Sequence, residues 1–528
     1  MEQFYDMPTQ AGIRAVPLNS QVRLYSGVPW DNTYRHVRLY SSRSDLLSHL
    51  GQWLSKSLTG LAPVKLGKLE VRVPYSEMEM LNVNYMAFQN PAYSSEWVFA
   101  FVTAVEWVSD KTTRISYELD VFQNNFYSVD VKPCFVEFQH IPKSQDIIGA
   151  NQKPVNIETG EPVSCYHTQT DFGAMYICFQ VTSGTEEGSI FEGRMRNNVY
   201  TPFTVWSMEA DDDGVNGANA LIKAYNESGK LDAIVLGYMA PELATQDTPE
   251  TGPSEVKELT FDIPDDCFGG YKPKNNKLYT YPFCYILADN NEGQSDIYKF
   301  ELFDNVGTAK FHSYGVENTM PAIMTMPAGY KGADEYYPEA MTNVSFPQIA
   351  WTADSYQAYT AQNKASIALR GVSAITNAVG GVATVAGTGG LGTVQGASQA
   401  VGSLGSVVSM LAQQLDIMRE PPLLRGKTSN ENINAGMGLC RVDFYVMTCQ
   451  RQFAEQIDDF FTTYGYPINE VTTPSLRSRS SWNYVKTNGC GFTGNVDLAQ
   501  LSALRNIFDS GVTLWHTDDI GNYGLPNN

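Results

Sequence analysis

Between Gly371 and Leu415 the chain carries neither a charged residue nor a histidine, and no aromatic ring lies between Tyr359 and Phe444, although aromatics make up 12% of the 528 residues. Charged side chains keep ordinary surface segments hydrated and large rings fill ordinary cores, so this window resembles neither. Ten glycines fall within it, densest at Gly387, Gly389, Gly390 and Gly392.

Its apolar residues are patterned. On one side Ala365, Ala368, Val372, Ile375, Val379, Val382 and Ala386 recur at spacings of three and four, and on the other Val394, Ala397, Val401, Leu404, Val408, Leu411, Leu415 and Met418 do the same. Each arm is therefore predicted to be a helix with one apolar seam. The opposite faces hold Ser, Thr, Asn, Gln and Gly, which cost far less to dehydrate than charges. The glycines between Gly380 and Gly392 supply a tip where the chain can turn back. Arms of roughly 22 to 25 residues span about 33 to 38 Å as helix, enough to cross a hydrocarbon core of ~30 Å. A helical hairpin or loop of this kind is either packed permanently against protein, inserted into a bilayer, or left as a linker. The membrane-facing candidates are Val372, Ile375, Val379, Val382, Val385, Leu391, Val394, Val401, Leu404, Val408, Leu411 and Leu415. Gly387, Gly389 and Gly392 also spell G-x-G-x-x-G, the spacing of a dinucleotide loop. That fold requires further strand–helix units to build a parallel sheet, none flanks this window, and no cofactor is expected.

The length allows three or four domains. With 36 Lys and Arg against 57 Asp and Glu the net charge is −21, spread along the chain, which argues against tight binding of a polyanion. The opening Met1 to Asp6 has no basic-then-apolar leader, and no unbroken apolar run reaches transmembrane length. Eight cysteines without a C-x-x-C pair, mostly in apolar surroundings, are expected to be buried free thiols, and six scattered histidines offer no metal-ligand spacing.

Most of the rest reads as β. Strand patterns occur at Gln21 to Tyr25 and His36 to Tyr40, followed by a helical pattern from Ser44 to Ser57. Glu96 to Val108 and Thr112 to Phe122 form a hairpin about Ser109-Asp110-Lys111. There Ile115, Tyr117 and Leu119 point one way and Ser116, Glu118 and Asp120 the other, while Glu106 alternates with Ala100, Val102 and Ala104. Glu106, Glu118 and Asp120 are thus candidates for the acidic wall of a channel. Residues 130 to 165 read as a connection. Strands follow at 174–181, 199–206 and 233–239, with a helix from Gly217 to Tyr225. The preceding Asp211-Asp212-Asp213 suits a helix N-terminus better than a calcium loop. A second hairpin, Leu278 to Leu287 and Asp296 to Phe303, turns through Asn290-Asn291-Glu292-Gly293, residues that accept positive φ. After Pro421-Pro422 come a strand at 440–449 and a helix from Ala454 to Phe461. No nucleophile, base and acid arrangement points to an enzyme.

Seven stretches carry a resemblance: Leu24–Tyr34 (Leu-Tyr-Ser-Gly-Val-Pro-Trp-Asp-Asn-Thr-Tyr), Tyr117–Gln123, Phe135–His140, Asn276–Pro282, Asp458–Pro467, Trp482–Thr487 and Gly511–His516. In this order they resemble the tail-knob, or distal tail-tube, proteins of small short-tailed phages with protein-primed DNA replication. The resemblance implies a virion protein made in the host cytoplasm, mainly β with α+β insertions. Its β-barrel-type tube domain would assemble as a hexameric ring beneath other tail or collar proteins. It implies a tube domain formed from residues 1–150 and 436–528, an inserted β-rich or α+β part at 151–340, and a long apolar loop at 341–435. That loop would plug the tube, then meet host membrane lipids and let genomic DNA pass without specific binding. This chain departs from the pattern in a loop that is Gly- and Ala-rich and free of aromatics. Six copies would carry 6 × −21 = −126, and an acidic lumen repels phosphate. The alternative is a structural tube or shell protein whose apolar loop only packs.

Overall fold

The computed structural model describes residues 20–61, 69–89, 96–151, 153–196, 199–228, 230, 233–245, 256–317, 321–331, 340–350 and 437–528. The chain forms two compact units. Unit 1 comprises residues 1–157, 274–277 and 456–528, and unit 2 comprises 158–273 and 278–455.

Unit 1 begins with β1 (Ser20–Ser26), β2 (His36–Arg38), α1 (Arg43–His49), β3 (Leu54–Leu61), β4 (Glu70–Val73), α2 (Glu77–Met80), β5 (Val83–Gln89), β6 (Val98–Ser109), β7 (Thr112–Leu119), α3 (Val121–Asn125), β8 (Val129–Lys132) and β9 (Cys134–Gln139). Six of these strands form an antiparallel half-barrel sheet in the order β3-β1-β5-β6-β7-β4. Alternation fills both faces of its middle. Val22, Leu24, Met86, Ala100, Ile115 and Tyr117 pack on one side, and Tyr25, Tyr85, Phe99 and Phe101 pack with Trp30, Leu46 and Leu50 on the other. The helix expected over Ser44 to Ser57 is shorter. Ser42 caps it through Asp45 N, a single 3-10 turn (Leu50–Trp53) follows, and the remainder is β3. Leu58 and Leu61 of β3 oppose Val22 and Ser20 of β1, so ladder pairing outweighs a helical spacing already weakened by Gly51.

Unit 2 holds β10 (Val163–Gln169), β11 (Met175–Val181), β12 (Arg194–Arg196), β13 (Val199–Thr201), β14 (Thr204–Glu209), α4 (Asp212–Glu227), β15 (Ile234–Pro241), α5 (Glu242–Thr245), β16 (Val256–Asp262), β17 (Cys284–Asp289), β18 (Ser295–Tyr298), β19 (Thr308–Glu317), β20 (Pro321–Pro327), β21 (Met341–Asn343), β22 (Gln348–Ala350) and β23 (Asp443–Thr448). They form the sheets β10-β23-β17-β18, β14-β11-β15-β22 and β16-β19-β20-β21 with the ribbon β12-β13. The helix α4 lays Ala218, Ile222 and Tyr225 against Ile177, Phe179 and Val181 of β11. Asp211 caps it by accepting from Gly214 N at 2.7 Å, so the acidic run does begin a helix. The strand expected over 199–206 is broken in two around Pro202. The second hairpin spans Cys284–Tyr298, with Asn291 at φ 59° and Gly293 at φ 98° in its turn. Leu278 and Tyr279, expected as strand, end a 3-10 turn (Asn276–Tyr279), and Phe300–Leu302, also expected as strand, form another.

The chain returns to unit 1 through α6 (Arg451–Tyr464), then β24 (Tyr466–Thr472), β25 (Trp482–Asn488), β26 (Gly491–Gly494), α7 (Leu498–Ser510) and β27 (Val512–Trp515). A five-stranded sheet in the order β2-β27-β25-β9-β24 joins both ends of the sequence, with β2 parallel to β27. Residues 130–165 are therefore not a plain connection, since β9 is a central strand there. Leu504 and Phe508 of α7 cover Val136, Val485 and Leu514.

Gly465 turns α6 into β24 at φ +70°, and a Cβ there would lie 2.3 Å from Gln139 O. Gly465→Ala is expected to cost at least about 2 kcal/mol, read as a lower denaturant midpoint, whereas Gly51→Ala, with open space around it, stays near wild type.

Candidate functional site: the long hairpin and the buried carboxylates

The β6–β7 hairpin outruns the core beneath it. Ala100 and Phe101 are buried, but Thr103, Ala104, Glu106, Trp107 and Ser109 are exposed, the Trp107 ring by 61%. A bulge decides which way Glu106 faces. Val102 opposes Tyr117 and Ala104 opposes Ser116, so Thr103 is an extra residue and the alternation changes phase across it. Val102 and Val105 then share the apolar face, while Ala104 and Glu106 take the other. Glu106 is therefore not on the face of Ala100 and Val102, as simple alternation predicts.

On that other face Arg114 stands between two carboxylates, its Nη1 3.2 Å from Glu106 Oε2 and its Nε 3.4 Å from Glu70 Oε2. Glu118 lies on the same face of β7 as Arg114, is exposed, and accepts from Asn32 Nδ2 at 3.0 Å. The hairpin thus presents Glu70, Glu106 and Glu118 with Arg114 among them. These are partly exposed pairs of little energetic weight that shape the surface potential.

Asp120 is a correction. It is 1% exposed and sits beyond the end of β7. Its Oδ1 accepts from Gln123 N at 3.0 Å, capping α3, and its Oδ2 accepts from Tyr85 OH at 2.8 Å. Burial pushes its pKa up to about 6, with the hydrogen bonds it accepts opposing that rise. A carboxylate spent on a cap and a tyrosine is part of the core and faces no channel.

The twelve apolar positions from Val372 to Leu415, together with the glycine triad, lie outside the described residues. Among the described residues no helix is long and apolar enough to cross a membrane, and no group of three His, Cys, Asp or Glu could hold a metal ion. The eight cysteines are free; six are buried, and Cys165 and Cys440 are partly exposed.

A second set of buried acids in unit 1 has no counterpart among the sequence candidates. Asp458, 0% exposed, accepts from Lys274 N at 2.6 Å, Asn275 N at 3.1 Å and Asn275 Nδ2 at 2.7 Å. Asp146 accepts from Tyr466 OH at 2.7 Å and Lys143 Nζ at 3.1 Å, and its carbonyl accepts from Asn276 Nδ2. Residues 274–277 are thereby held in unit 1 by polar contacts. The available signal was Asp458 itself, which occupies the apolar stripe of α6 with Ala454, Ile457 and Phe461. Nearby His140 is buried. Its Nδ1 accepts from Tyr484 N at 2.7 Å, which leaves the proton on Nε2 to be donated to Thr462 O at 3.1 Å. Burial lowers its pKa to about 3.

The described residues form a β scaffold with a projecting hairpin and polar cores that serve stability. Residues 18–130 match the caudoviral major tail protein N-terminus, which places the half-barrel among phage tail proteins. Residues 245–528, more than half of the chain, match the C-terminal domain of the tail knob protein gp9 of Bacillus phage phi29, and the chain belongs to that family. It is 25% identical to the tail knob protein gp9 of Bacillus phage PZA and 26% to that of Bacillus phage B103, each over 97% of this chain and 99% of the relative. The gp9 of phi29 itself is 24% identical over the same shares. The fold is that of the bacteriophage C1 tail knob protein gp12, with a TM-score of 0.64 at 13% identity over 96% of this chain and 99% of that one. The chain is accordingly a structural virion component of a phage tail.

Asp120→Ala removes a cap and strands the Tyr85 hydroxyl, and is expected to cost about 2 kcal/mol or more. Asp120→Asn reads the proton. The native value near 6 exceeds the ordinary 3.8, so the stability this group contributes is full below about pH 4 and lost as pH rises through 6. Chemical denaturation should show the Asn variant gaining on wild type over that window. His140 runs oppositely, since its native value near 3 lies below 6.5 and its contribution is lost as pH falls beneath 6.5. Wild type should therefore lose more stability than His140→Gln between about pH 7 and pH 5.

Proposed function

We propose that this chain builds the distal tail as a ring of copies, a hexamer, whose apolar segment at 365–418 closes the tube until it is released into the host membrane and genomic DNA passes. The reading rests on one observation above others: a window of the chain from Gly371 to Leu415 without a single charge, seamed at helical spacing, inside a protein that resembles tail knob proteins from end to end. Apolar seams of that length are soluble only when they cover one another, and a ring brings several copies together. Released, they gain roughly 25 cal/mol for each Å² of apolar surface placed in lipid. In this assembly Glu106 and Glu118 contribute to an acidic lumen that lets phosphate slide past, and the neighbouring tail proteins are partners above the ring.

Electron micrographs of the purified chain should show rings with a central hole. The full chain should release dye from liposomes, and a variant lacking residues 371–415 should form the same rings and release none. Leakage that survives the deletion, or intact rings that never leak at any pH, would refute the membrane role.

A further inference from the structure

In unit 2, two cysteines meet at one end of the sheet β10-β23-β17-β18. Thr448 of β23 opposes Val163 of β10 and Cys284 of β17, so its side chain shares a face with theirs. Its hydroxyl donates to Cys267 O at 2.8 Å, which lays the Cys267 segment over that face. Cys165 is the extra residue of a bulge in the edge strand β10, because Ser164 opposes Met447 and Tyr166 opposes Val446. A bulge breaks alternation and lets two neighbouring side chains take one side. Tyr166 marks that side, since its ring centroid is 6.1 Å from Phe261, itself 6.0 Å from Phe444, and Phe444 alternates with Val446 and Thr448. The Cys165 and Cys267 thiols are thus neighbours, and each perturbs the titration of the other.

The two are unequal in access. Cys165 is partly exposed on an edge strand, whereas Cys267 is 2% exposed. The neighbouring Cys267 thiol favours the Cys165 thiolate and lowers its pKa below the usual thiol range, with burial opposing. Cys267, which neighbours Cys165 and is also desolvated, is pushed up. An accessible thiolate backed by a buried thiol is the arrangement of an attacking and a resolving cysteine.

We infer that Cys165 and Cys267 are a disulfide-forming site, closed by a low-molecular-weight disulfide of the glutathione class. The Cys165 thiolate attacks one sulfur of glutathione disulfide and expels one glutathione thiolate, leaving a mixed disulfide. Cys267 gives its proton to solvent and attacks the Cys165 sulfur, expelling the second glutathione. The two cysteines are oxidised by two electrons, and one glutathione disulfide is reduced to two thiols. A virion component leaves a reducing cell interior for an oxidising exterior, where such a bond persists. The link ties the bulge of an edge strand to a segment about a hundred residues further along, and so restricts the unfolded chain. Cys134 and Cys490 in unit 1 are also neighbours, but at 6% and 0% exposure they offer no accessible thiolate.

The reduced full-length chain would be incubated with glutathione disulfide at mildly alkaline pH, alkylated, and mapped by peptide mass spectrometry. The expected result is a Cys165–Cys267 cross-link, with Cys134 and Cys490 still thiols. Cys267→Ser should stop at a glutathione adduct on Cys165, and Cys165→Ser should acquire neither adduct nor cross-link at Cys267. The cross-linked wild type should unfold several degrees higher than the reduced chain. A native chain in which Cys165 remains fully alkylatable after oxidation, or which links Cys165 to Cys284 instead, would overturn the assignment without recourse to any variant.

Discussion

The parallel pairing of His36–Arg38 with Thr513–Trp515 is the contact on which unit 1 depends. It joins residues near opposite ends of the chain, and β9 extends the same sheet by taking β25 on one side and β24 on the other. Closing loops of this length is entropically costly, and the cost falls due before any contact is made. The offset comes from the apolar residues brought together. Trp482 and Trp515 are completely buried, with ring centroids 5.3 Å apart, and α7 seals one face through Leu504 and Phe508. The whole of unit 2 is a long excursion between strands of one sheet.

Such a scaffold leaves polar groups in the interior, and the buried acids of unit 1 and His140 are partnered. Asp458 meets two backbone amides and a side-chain amide, Asp146 a tyrosine and a lysine, and His140 one donor and one acceptor. Partnered groups of this kind contribute little net free energy but fix one arrangement of the chain, because any alternative strands a desolvated carboxylate. This accounts for acids in a core without invoking chemistry. It also accounts for a tail protein whose most perturbed groups are structural, Asp120 among them.

In the assembly proposed above, function would be carried by what leaves the core. Among the described residues, nothing covers the distal half of the β6–β7 hairpin, with Glu106, Arg114 and Trp107. In the ring proposed above, this surface would meet neighbouring copies or the passing genome. A mixture of carboxylates with one guanidinium gives such a surface a mild field with little grip on phosphate.

Local patterns sufficed wherever a residue's neighbours in sequence are also its neighbours in space. The hairpins about Asp110-Lys111 and Asn290–Gly293, the acidic start of α4, the apolar stripe of α6 and the mainly β character of the chain were all legible for that reason. The charge-free window was equally plain, since composition alone defines it. What the tertiary structure alone decided depends on distant partners. Leu54–Leu61 became a strand because β1 lay beside it, and Cys134–Gln139 became a central strand because β24 and β25 arrive more than three hundred residues later. The extra residue at Thr103 turned Glu106 to the opposite face, and Tyr85 from another strand drew Asp120 into the core. A period of two says which residues share a face only while the ladder stays in register, and register is set by the partner strand.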